Sequence, residues 1–501
     1  MKNGWLLGLG AVAGAAVGAA AITQKRRGDA EKAERLRRLQ ASPGPRGKNI
    51  VILGAGFGGI TTASTLLQHL PPESGWTITL VDRRNYFLFT PLLYHAATGL
   101  VEPSSILFPV RSLAQAGHFV FRESAVLGID LHNQTVRLDD GELAYDHLVL
   151  SLGSVPNYFG KEEQLRHALT LKNTGDALAL RNRIIDAFEA AELLPEGDER
   201  RRCLTFVVVG GGATGVELVG AMNGLVEGTL ARHYPRIRRD EVRLVLLEAL
   251  PEILPNLPRE LAGYSAQRLR ELGVEVRTET PVEWVDADGM LTTGGEYIPS
   301  RTVVWTAGVQ PEPVSGGLDL PRLKNGRILV DPFLQVRDNP GVYAIGDAAA
   351  YEDPNTGKPL PPNAAVAVQQ ARSLAAGIMA RLEGRAPEPF QYVRRGELVS
   401  LGRHEAAAEV GGVHVTGLPA WLLWRGFYLS QLMGFRNQLA VALDWTFAYF
   451  YQRETARLDG ASMPAPVTGP QPGDGGMTPG VDHPAAGPSE AAGSVMPVPS
   501  T

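Results

Sequence analysis

Residues 49–59 read NIVILGAGFGG, and their pattern indicates the class of fold. A short apolar run, residues 49–53, leads directly into a G-x-G-x-x-G turn, and a helical sequence follows. Such a turn between strand and helix is typical of a dinucleotide-binding unit. Gly54 permits the tight turn, Gly56 lets a pyrophosphate approach the backbone, and Gly59 lets the helix pack on the strand. The helix N-terminus adds N–H donors and the positive end of its dipole.

A carboxylate completes this unit. A second apolar run, residues 76–81, ends in Asp82. An acid at the end of that strand is placed to accept hydrogen bonds from ribose hydroxyls. Glycine triplets alone also occur in ordinary turns, but strand, turn, helix and terminal acid in this order favour a dinucleotide site.

The whole unit recurs later in the chain. Residues 205–209 (TFVVV) lead into a second glycine turn, whose key positions are Gly210, Gly212 and Gly215. A helical sequence and a further strand follow, and the strand ends in Glu248. Two complete units predict two bound dinucleotides. The carboxylate of Glu248 would repel a 2′-phosphate and no arginine follows it directly, so the second site favours NADH over NADPH.

Composition limits the chemistry. The 501 residues suggest about three domains. With 48 Lys and Arg against 53 Asp and Glu, the net charge of −5 gives no indication of nucleic-acid binding. A single cysteine, Cys203, excludes an intramolecular disulfide framework, a Cys-x-x-Cys pair and a zinc site built on several thiolates, and we predict no metal site. Redox chemistry would therefore come from a bound cofactor.

The two ends of the chain differ from its middle. Residues 4–23 carry no charge and have about the length of a membrane-spanning helix. A cleaved signal peptide is the alternative, but the basic residues that follow the run favour an uncleaved anchor with the rest of the chain on the cytoplasmic side. Of the 42 residues 460–501, 17 are Gly or Pro, so we expect a disordered tail there.

A third segment is expected to complete the first site. Residues 342–345 lead into Gly346-Asp347, before a run that looks helical. Here the chain resembles flavoproteins with two dinucleotide-binding domains, in which a Gly-Asp pair lies at the FAD pyrophosphate and ribityl chain. The resemblance implies that an NADH unit is inserted between two halves of an FAD domain. Taken alone, the pair would be an ordinary turn.

The number of cysteines excludes two classes of flavoenzyme. Flavin disulfide reductases need a cysteine pair and sulfide:quinone oxidoreductases need cysteines to carry sulfur, so one cysteine serves neither. A closer resemblance rests on six segments, namely 82–99, 210–217, 305–309, 344–348, 361–370 and 434–445. In these segments the chain resembles the type II NADH dehydrogenases, the non-pumping NADH:quinone oxidoreductases of the FAD-dependent pyridine nucleotide-disulfide oxidoreductase superfamily.

The resemblance implies an α/β fold with two Rossmann-like dinucleotide-binding domains and a C-terminal membrane-associating helical segment. The expected parts are an anchor candidate and linker (1–47), the first part of the FAD domain (48–165), the NADH domain (166–325), the second part of the FAD domain (326–388), a membrane- and quinone-associated domain (389–458) and the tail (459–501).

It also implies cofactor contacts. For FAD the expected residues are Gly54, Gly56, Gly59, Asp82, Arg83, Pro91, Leu92, Val126, Gly346, Asp347 and Ala364. Of these, Pro91 and Leu92 would lie near the isoalloxazine and Ala364 at its pyrimidine end, with Val126 at the adenine. For NADH they are Gly210, Gly212, Gly215, Glu248 and Gly308.

The remaining implied roles concern quinone reduction. Gln369 and Gln370 look like the family's glutamine element beside the quinone pocket, although Ala365 stands where that element begins with glutamine. Glu217 would lie close to nicotinamide and flavin, and there a carboxyl with a raised pKa could relay a proton to the quinone. The alternatives are a solvated pair of glutamines and an acid that only favours the helix dipole.

A quinone substrate requires membrane contact. Residues 418–434 and 437–452 are of helical length and contain Trp421, Trp424 and Trp445 beside several arginines. We expect these helices to lie at the lipid surface, on the cytoplasmic side of the cell inner membrane, with dimerisation through the same segment as a further expectation. A core helix pair is the alternative. Two other functions stay open, a reductase of a ferredoxin-like or rubredoxin-like protein and a flavin redox sensor.

Overall fold

The structure is a computed structural model that describes residues 48–113, 118–315 and 317–458. The predicted N-terminal anchor, residues 1–47, and the predicted tail, residues 459–501, lie outside these ranges, so both stay predictions.

A first five-stranded parallel sheet holds the first glycine turn. Its strands, in spatial order, are Val342–Ala344, His147–Leu150, Asn49–Leu53, Thr77–Asp82 and Phe119–Glu123. Apolar side chains on both faces of the central strands are buried, as in sheets covered by helices on both sides. The helix Phe57–His69 follows the turn and packs against Ala364–Leu382.

A second five-stranded parallel sheet holds the second turn. Its order is Leu169–Thr170, Thr302–Trp305, Thr205–Val209, Arg243–Leu247 and Val274–Arg277. These strands lie in sequence between two strands of the first sheet, so the first sheet is built from two separated parts of the chain. The predicted inserted arrangement of two Rossmann-like units is confirmed.

Helices accompany the second sheet. After its glycine turn the helix Ala213–Leu225 runs into a π-turn, Val226–Leu230, and a last short helix, Ala231–His233. A π-turn inside a helix often marks a functional region. The other helices of this part of the chain are Thr174–Leu193, Asp198–Cys203 and Arg259–Glu271.

Smaller strands complete both units. Two three-stranded antiparallel sheets consist of Val126–Asp130, Thr135–Leu138 and Gly141–Ala144, and of Val282–Val285, Gly289–Thr292 and Tyr297–Pro299. The paired short strands are Tyr86–Leu88 with Leu107–Pro109, Ser154–Pro156 with Val309–Pro311, Ile328–Leu329 with Ala349–Ala350, and Glu352–Asp353 with Lys358–Pro359. Leu93–Ala97 is a short helix. The 3-10 turns are Pro72–Ser74, Thr90–Leu92, Pro103–Ile106, Val110–Leu113, Arg239–Glu241, Pro313–Ser315 and Gly346–Ala348.

One local expectation is wrong. The run after Gly346-Asp347 is not a helix: it forms the 3-10 turn and the short strand Ala349–Ala350, and the next helix begins only at Ala364. Alanine has a high helix propensity, but here the two alanines form a strand because they pair with Ile328–Leu329.

The C-terminal part is more than a helical segment. Three antiparallel strands, Gly396–Gly402, Glu405–Val410 and Val413–Thr416, form a sheet that the sequence analysis did not predict. The run Glu405–Val410 reads EAAAEV, which favours helix by propensity, and only its neighbours make it a strand. The two predicted helices follow as Gly417–Gln431 and Phe435–Phe450, which we call the C-terminal helix pair.

The C-terminal helix pair buries its tryptophans inside the protein. Trp421, Trp424 and Trp445 are all buried, so the tryptophans of both helices face the protein interior. The opposite sides of both helices expose large apolar side chains, namely Leu418, Leu422, Leu423, Phe427, Phe435, Leu439, Leu443, Phe447, Tyr449 and Phe450. Across the ranges that the structure describes, no helix combines the length and apolarity needed to cross a bilayer.

Candidate active site

The first glycine turn lies at the carboxyl edge of the first sheet. Gly54 has φ +98°, and a Cβ there would lie 2.2 Å from the carbonyl oxygen of Ser151. A Cβ on Gly59 would lie 1.8 Å from the carbonyl oxygen of Gly54. Position 56 is different, because no atom lies within 4 Å of a Cβ built on Gly56. The fold itself requires two of the glycines, while the third leaves a cradle that fits a pyrophosphate.

The second glycine turn repeats this geometry. Gly210 has φ +112° and its Cβ would lie 2.8 Å from the amide nitrogen of Ala307. A Cβ on Gly215 would lie 1.9 Å from the carbonyl oxygen of Gly210, whereas Gly212 has open space. Gly308, with φ +72°, follows the adjacent strand of the same sheet. Both turns therefore offer the same cradle for a phosphate group.

The acid that ends the second strand of each unit accepts a hydrogen bond from the glycine turn of that unit. An oxygen of Asp82 accepts a hydrogen bond from the amide of Ala55 at 2.7 Å, and its other oxygen accepts from the amide two residues later at 2.9 Å. An oxygen of Glu248 accepts from the amide of Gly211 at 2.6 Å, and its other oxygen again accepts from the amide two residues later, at 2.8 Å. Each carboxylate holds its turn and keeps lone pairs for ribose hydroxyls.

The other predicted FAD residues occupy varied positions. Arg83 is exposed and its guanidinium lies 3.4 Å from the Glu312 carboxylate. Pro91 lies in the 3-10 turn Thr90–Leu92, whose Leu92 is fully buried in the core. Val126 is half-buried in the first small antiparallel sheet. Ala364 is the first residue of its helix. Their contacts with FAD stay predictions.

The Gly346-Asp347 turn is held from two sides. The amide of Gly346 donates to Oε1 of Gln370 at 2.7 Å. The Asp347 carboxylate accepts from the Ser154 hydroxyl at 2.5 Å, and that hydroxyl accepts from Nζ of Lys172 at 3.2 Å. Burial lowers the pKa of Lys172, and the charge of Asp347 opposes this. The sequence analysis missed Ser154 and Lys172 because no local motif marks them.

The two glutamines, Gln369 and Gln370, contact different parts of the protein. Both side-chain amide atoms of Gln369 bond to the backbone of Val393, each at 3.0 Å. Gln370 is fully buried against the Gly346 turn, and its Nε2 has no partner among the described residues. A buried donor of this kind is normally satisfied by a ligand or water, which fits a cofactor at this turn. The quinone role of the pair stays a prediction.

Glu217 is buried where three parts of the fold meet. It lies on the helix Ala213–Leu225, and its Oε1 accepts from the indole N–H of Trp424 at 3.1 Å and from the amide of Ser400 at 3.2 Å. Burial raises the pKa of Glu217 to about 8, although both hydrogen bonds oppose the shift. The carboxyl therefore holds a proton at neutral pH.

Two side chains of the short helix Leu93–Ala97 line the same region. Nδ1 of His95 accepts from the indole N–H of Trp445 at 3.2 Å, and burial holds the pKa of His95 well below its usual value. The imidazole is therefore neutral, with its hydrogen on Nε2. The Tyr94 hydroxyl is buried and has no hydrogen-bond partner among the described residues. Neither residue was singled out from the sequence.

Family profiles match two parts of the chain. Residues 48–371 match the pyridine nucleotide-disulphide oxidoreductase family, and residues 395–454 match the NDH2 C-terminal domain.

Relatives align over most of their length. A type II NADH:quinone oxidoreductase, Ndh, of Mycobacterium tuberculosis is 35% identical over 82% of this chain and 89% of its own. A probable NADH dehydrogenase of Dictyostelium discoideum is 32% identical over 84% of this chain and 93% of its own. The NDH2 structure from Plasmodium falciparum in complex with NADH shares the fold, with a TM-score of 0.74 and 19% identity over 82% of this chain and all of that one.

The fold, the paired glycine turns and the first family profile place this chain among the FAD- and NADH-binding pyridine nucleotide-disulphide oxidoreductases. Within that class, the second profile and the identity to curated relatives show that it belongs to the type II NADH dehydrogenases.

Proposed function

We propose that this chain is a non-pumping NADH:quinone oxidoreductase, which oxidises NADH and delivers two electrons and two protons to a membrane quinone. The observation that carries this function is the pair of braced glycine turns on two sheets of one fold, joined to a C-terminal part that matches the NDH2 C-terminal domain. Relatives that align over most of this chain are named as type II NADH:quinone oxidoreductases.

The first sheet would hold FAD and the second NADH. The cradle at Gly56, the turn at Gly346-Asp347 and the unsatisfied Nε2 of Gln370 fit a bound FAD. When bound, FAD accepts the hydride of NADH and passes its electrons to the quinone. The cradle at Gly212 and the carboxylate of Glu248 beside the second turn fit NADH, because a 2′-phosphate beside that carboxylate would be repelled.

Glu217 would supply a proton for the quinone. A carboxyl whose pKa lies near 8 is protonated at neutral pH and close enough to the working pH to release and recover its proton. Its position supports this role, because it lies on the helix that begins at the NADH turn and contacts the C-terminal helix pair through Trp424.

The exposed apolar face of the C-terminal helix pair would attach the protein to a lipid surface. More than half of the large apolar side chains exposed in the described ranges lie on these two helices or directly after them. A face of this size marks an interaction surface, and a quinone dissolved in lipid requires one. We place the protein at the cytoplasmic side of the cell inner membrane, and a homodimer through part of this face is compatible with it.

One experiment tests the function as a whole. The purified full-length protein is mixed with NADH and then with a water-soluble quinone while the flavin absorbance is followed. We expect rapid bleaching by NADH and full recovery with quinone over many cycles. A colourless protein that cannot be reconstituted with FAD, or one that stays reduced in the presence of quinone, contradicts the proposal.

A further inference from the structure

A pocket beside the C-terminal helix pair gathers three arginines that have no charged partner among the described residues. It lies between the short helix Leu93–Ala97, the C-terminal sheet and the helix pair, and we call it the arginine pocket. Its lining includes Arg403, Arg425, Arg453, Tyr94, His404 and Trp421. Within the described ranges, none of the three guanidinium groups lies within ion-pair distance of a carboxylate. Clustered cations of this kind are costly unless an anion joins them.

Arg425 is the least satisfied of the three. Its guanidinium carbon lies 3.8 Å from the ring centroid of Trp421 and 4.8 Å from that of Trp445. Stacking on rings fixes the guanidinium plane without using its N–H groups, and no described residue accepts a hydrogen bond from them. Burial lowers the pKa of Arg425 to about 10, which still leaves it charged at neutral pH. Its donors are free for a ligand.

The hydrogen bonds of the other two arginines to described residues all go to backbone carbonyl oxygens. Arg403 donates to the carbonyl oxygen of Tyr449 at 3.4 Å. Arg453 donates to the carbonyl oxygen of Ala221 at 2.9 Å and to that of Thr98 at 3.5 Å. Burial lowers the pKa of Arg453 to about 10, and the charges of the two neighbouring arginines add to this effect. The guanidinium groups therefore repel one another with no anion between them.

Two further observations point to a ligand with oxygen atoms. The hydroxyl of Tyr94 is buried in the lining of this pocket and lacks a hydrogen-bond partner in the described part of the chain. The nearby Glu217 does not neutralise the arginines at neutral pH, because it holds its proton up to about pH 8. Three cations therefore converge without an anionic partner among the described residues, and the Tyr94 hydroxyl adds a hydrogen-bond donor beside them.

The position of the pocket selects the class of ligand. Trp421 and Arg425 alternate along their helix with the exposed Leu418 and Leu422. The Trp421 and Arg425 side of the pocket lining therefore lies next to the apolar face that we assign to the lipid surface. With that face in the acyl region, the arginines would lie at the depth of the lipid phosphates.

We propose that the arginine pocket binds the phosphate group of an anionic phospholipid, separate from both nucleotide turns. This inference rests on the membrane attachment proposed above. An acyl chain would continue from the pocket over the adjoining apolar face, so we assign a lipid rather than a free phosphate. A choline headgroup would bring its own cation against the arginines, so a zwitterionic lipid fits poorly.

The test measures binding of a soluble short-chain lipid to the full-length protein with its flavin. Dihexanoylphosphatidylglycerol, kept below its micelle concentration, is titrated while tryptophan fluorescence is recorded, because Trp421 and Trp445 stack on Arg425. We expect a saturable change with one lipid per chain. Arg425→Gln should weaken binding at least about tenfold, since it removes hydrogen bonds to a charged group. Arg403→Gln, whose side chain is exposed, should weaken it in the same direction.

Arg436→Gln is the matched control, because Arg436 is an exposed arginine of the same helix pair outside the pocket. It should leave the affinity within about twofold. Equal loss in this control would indicate diffuse attraction and overturn the site. Equal binding of dihexanoylphosphatidylcholine or of inorganic phosphate alone would overturn the lipid assignment, as would the absence of saturation. The measurement uses neither NADH nor quinone, so failure of the proposed enzyme activity is seen separately.

Discussion

The indole N–H of Trp424 donates a hydrogen bond to Oε1 of Glu217 at 3.1 Å, across 207 positions of sequence. The contact joins the helix that starts at the second glycine turn to the first helix of the C-terminal pair. Because Trp424 is buried with the carboxyl, the bond lies in a region shielded from water, where burial raises the pKa of Glu217. The proposed proton donor is thus positioned by the C-terminal helix pair, the part of the chain that we propose attaches to the membrane.

Replacing Glu217 should slow quinone reduction and change its pH dependence. The native carboxyl loses its proton as pH rises through about 8, so the rate of reoxidation by quinone should fall above that pH. Glu217→Gln has no proton to give, and its rate should be lower by about a hundredfold and flat through this range. Stopped-flow reoxidation with a water-soluble quinone measures both. A variant that reoxidises at the native rate would remove Glu217 from the proton relay.

Removing the indole donor should shift the pH at which the rate of reoxidation falls. In Trp424→Phe the charged form of Glu217 loses a hydrogen bond, so the pKa of Glu217 should rise above about 8 and the fall in rate should begin at higher pH. Trp445→Phe is the control, because its indole donates to His95 instead. Each change should also lower the free energy of unfolding by about 1 to 3 kcal/mol. If the pH at which the rate falls shifts equally in both variants, the hydrogen bond from Trp424 does not set the pKa of Glu217, which would contradict our interpretation.

The glycines of the first turn should separate cofactor binding from folding. Gly56→Ala meets no protein atom, so the protein should fold normally but lose FAD, because the new methyl group occupies the phosphate cradle. Gly59→Ala meets the carbonyl oxygen of Gly54 and should lower the melting temperature instead. Flavin content and thermal unfolding are measured on both. Retention of FAD at native affinity by Gly56→Ala would contradict the placement of the pyrophosphate.

Nucleotide choice should depend on the charge of Glu248. Glu248→Gln keeps an oxygen that can accept from the amide of Gly211 but removes the negative charge. We expect the preference for NADH over NADPH, taken as the ratio of kcat/KM values, to fall by about tenfold. Flavin content serves as the control and should not change, since the first turn is untouched. An unaltered preference would show that another group excludes the 2′-phosphate.

Membrane attachment should depend on exposed apolar residues rather than on the tryptophans. Leu422→Ser combined with Phe447→Ser removes two exposed side chains of the helix pair and should shift most of the protein out of the membrane fraction. Leu193→Ser is the control, an exposed leucine away from that face.

Deleting residues 1–27 should weaken attachment without abolishing it. Complete release by the deletion alone would refute attachment through the C-terminal helices.

Local motifs predicted much of the fold and both nucleotide turns. The strands Asn49–Leu53 and Thr205–Val209 form where the apolar runs placed them, and each is followed by its glycine turn and helix. These features depend on neighbouring residues, since a turn needs its glycines at a fixed spacing and a strand needs its apolar run. For the same reason Glu217 could be singled out, because it follows the second turn closely.

Other features of the protein depend on contacts between distant segments, which no local pattern predicts. The strand Glu405–Val410 has a helical composition and is a strand because it pairs on both sides. No local motif marks Trp424 and Ser400 as the partners of Glu217, the hydrogen bonds that join Lys172, Ser154 and Asp347, or the three arginines of the pocket. The burial of the tryptophans likewise depends on packing between distant segments. Local sequence sets which turns and helices form, but burial, pairing and the pKa of a carboxyl are set by the segments that packing brings together.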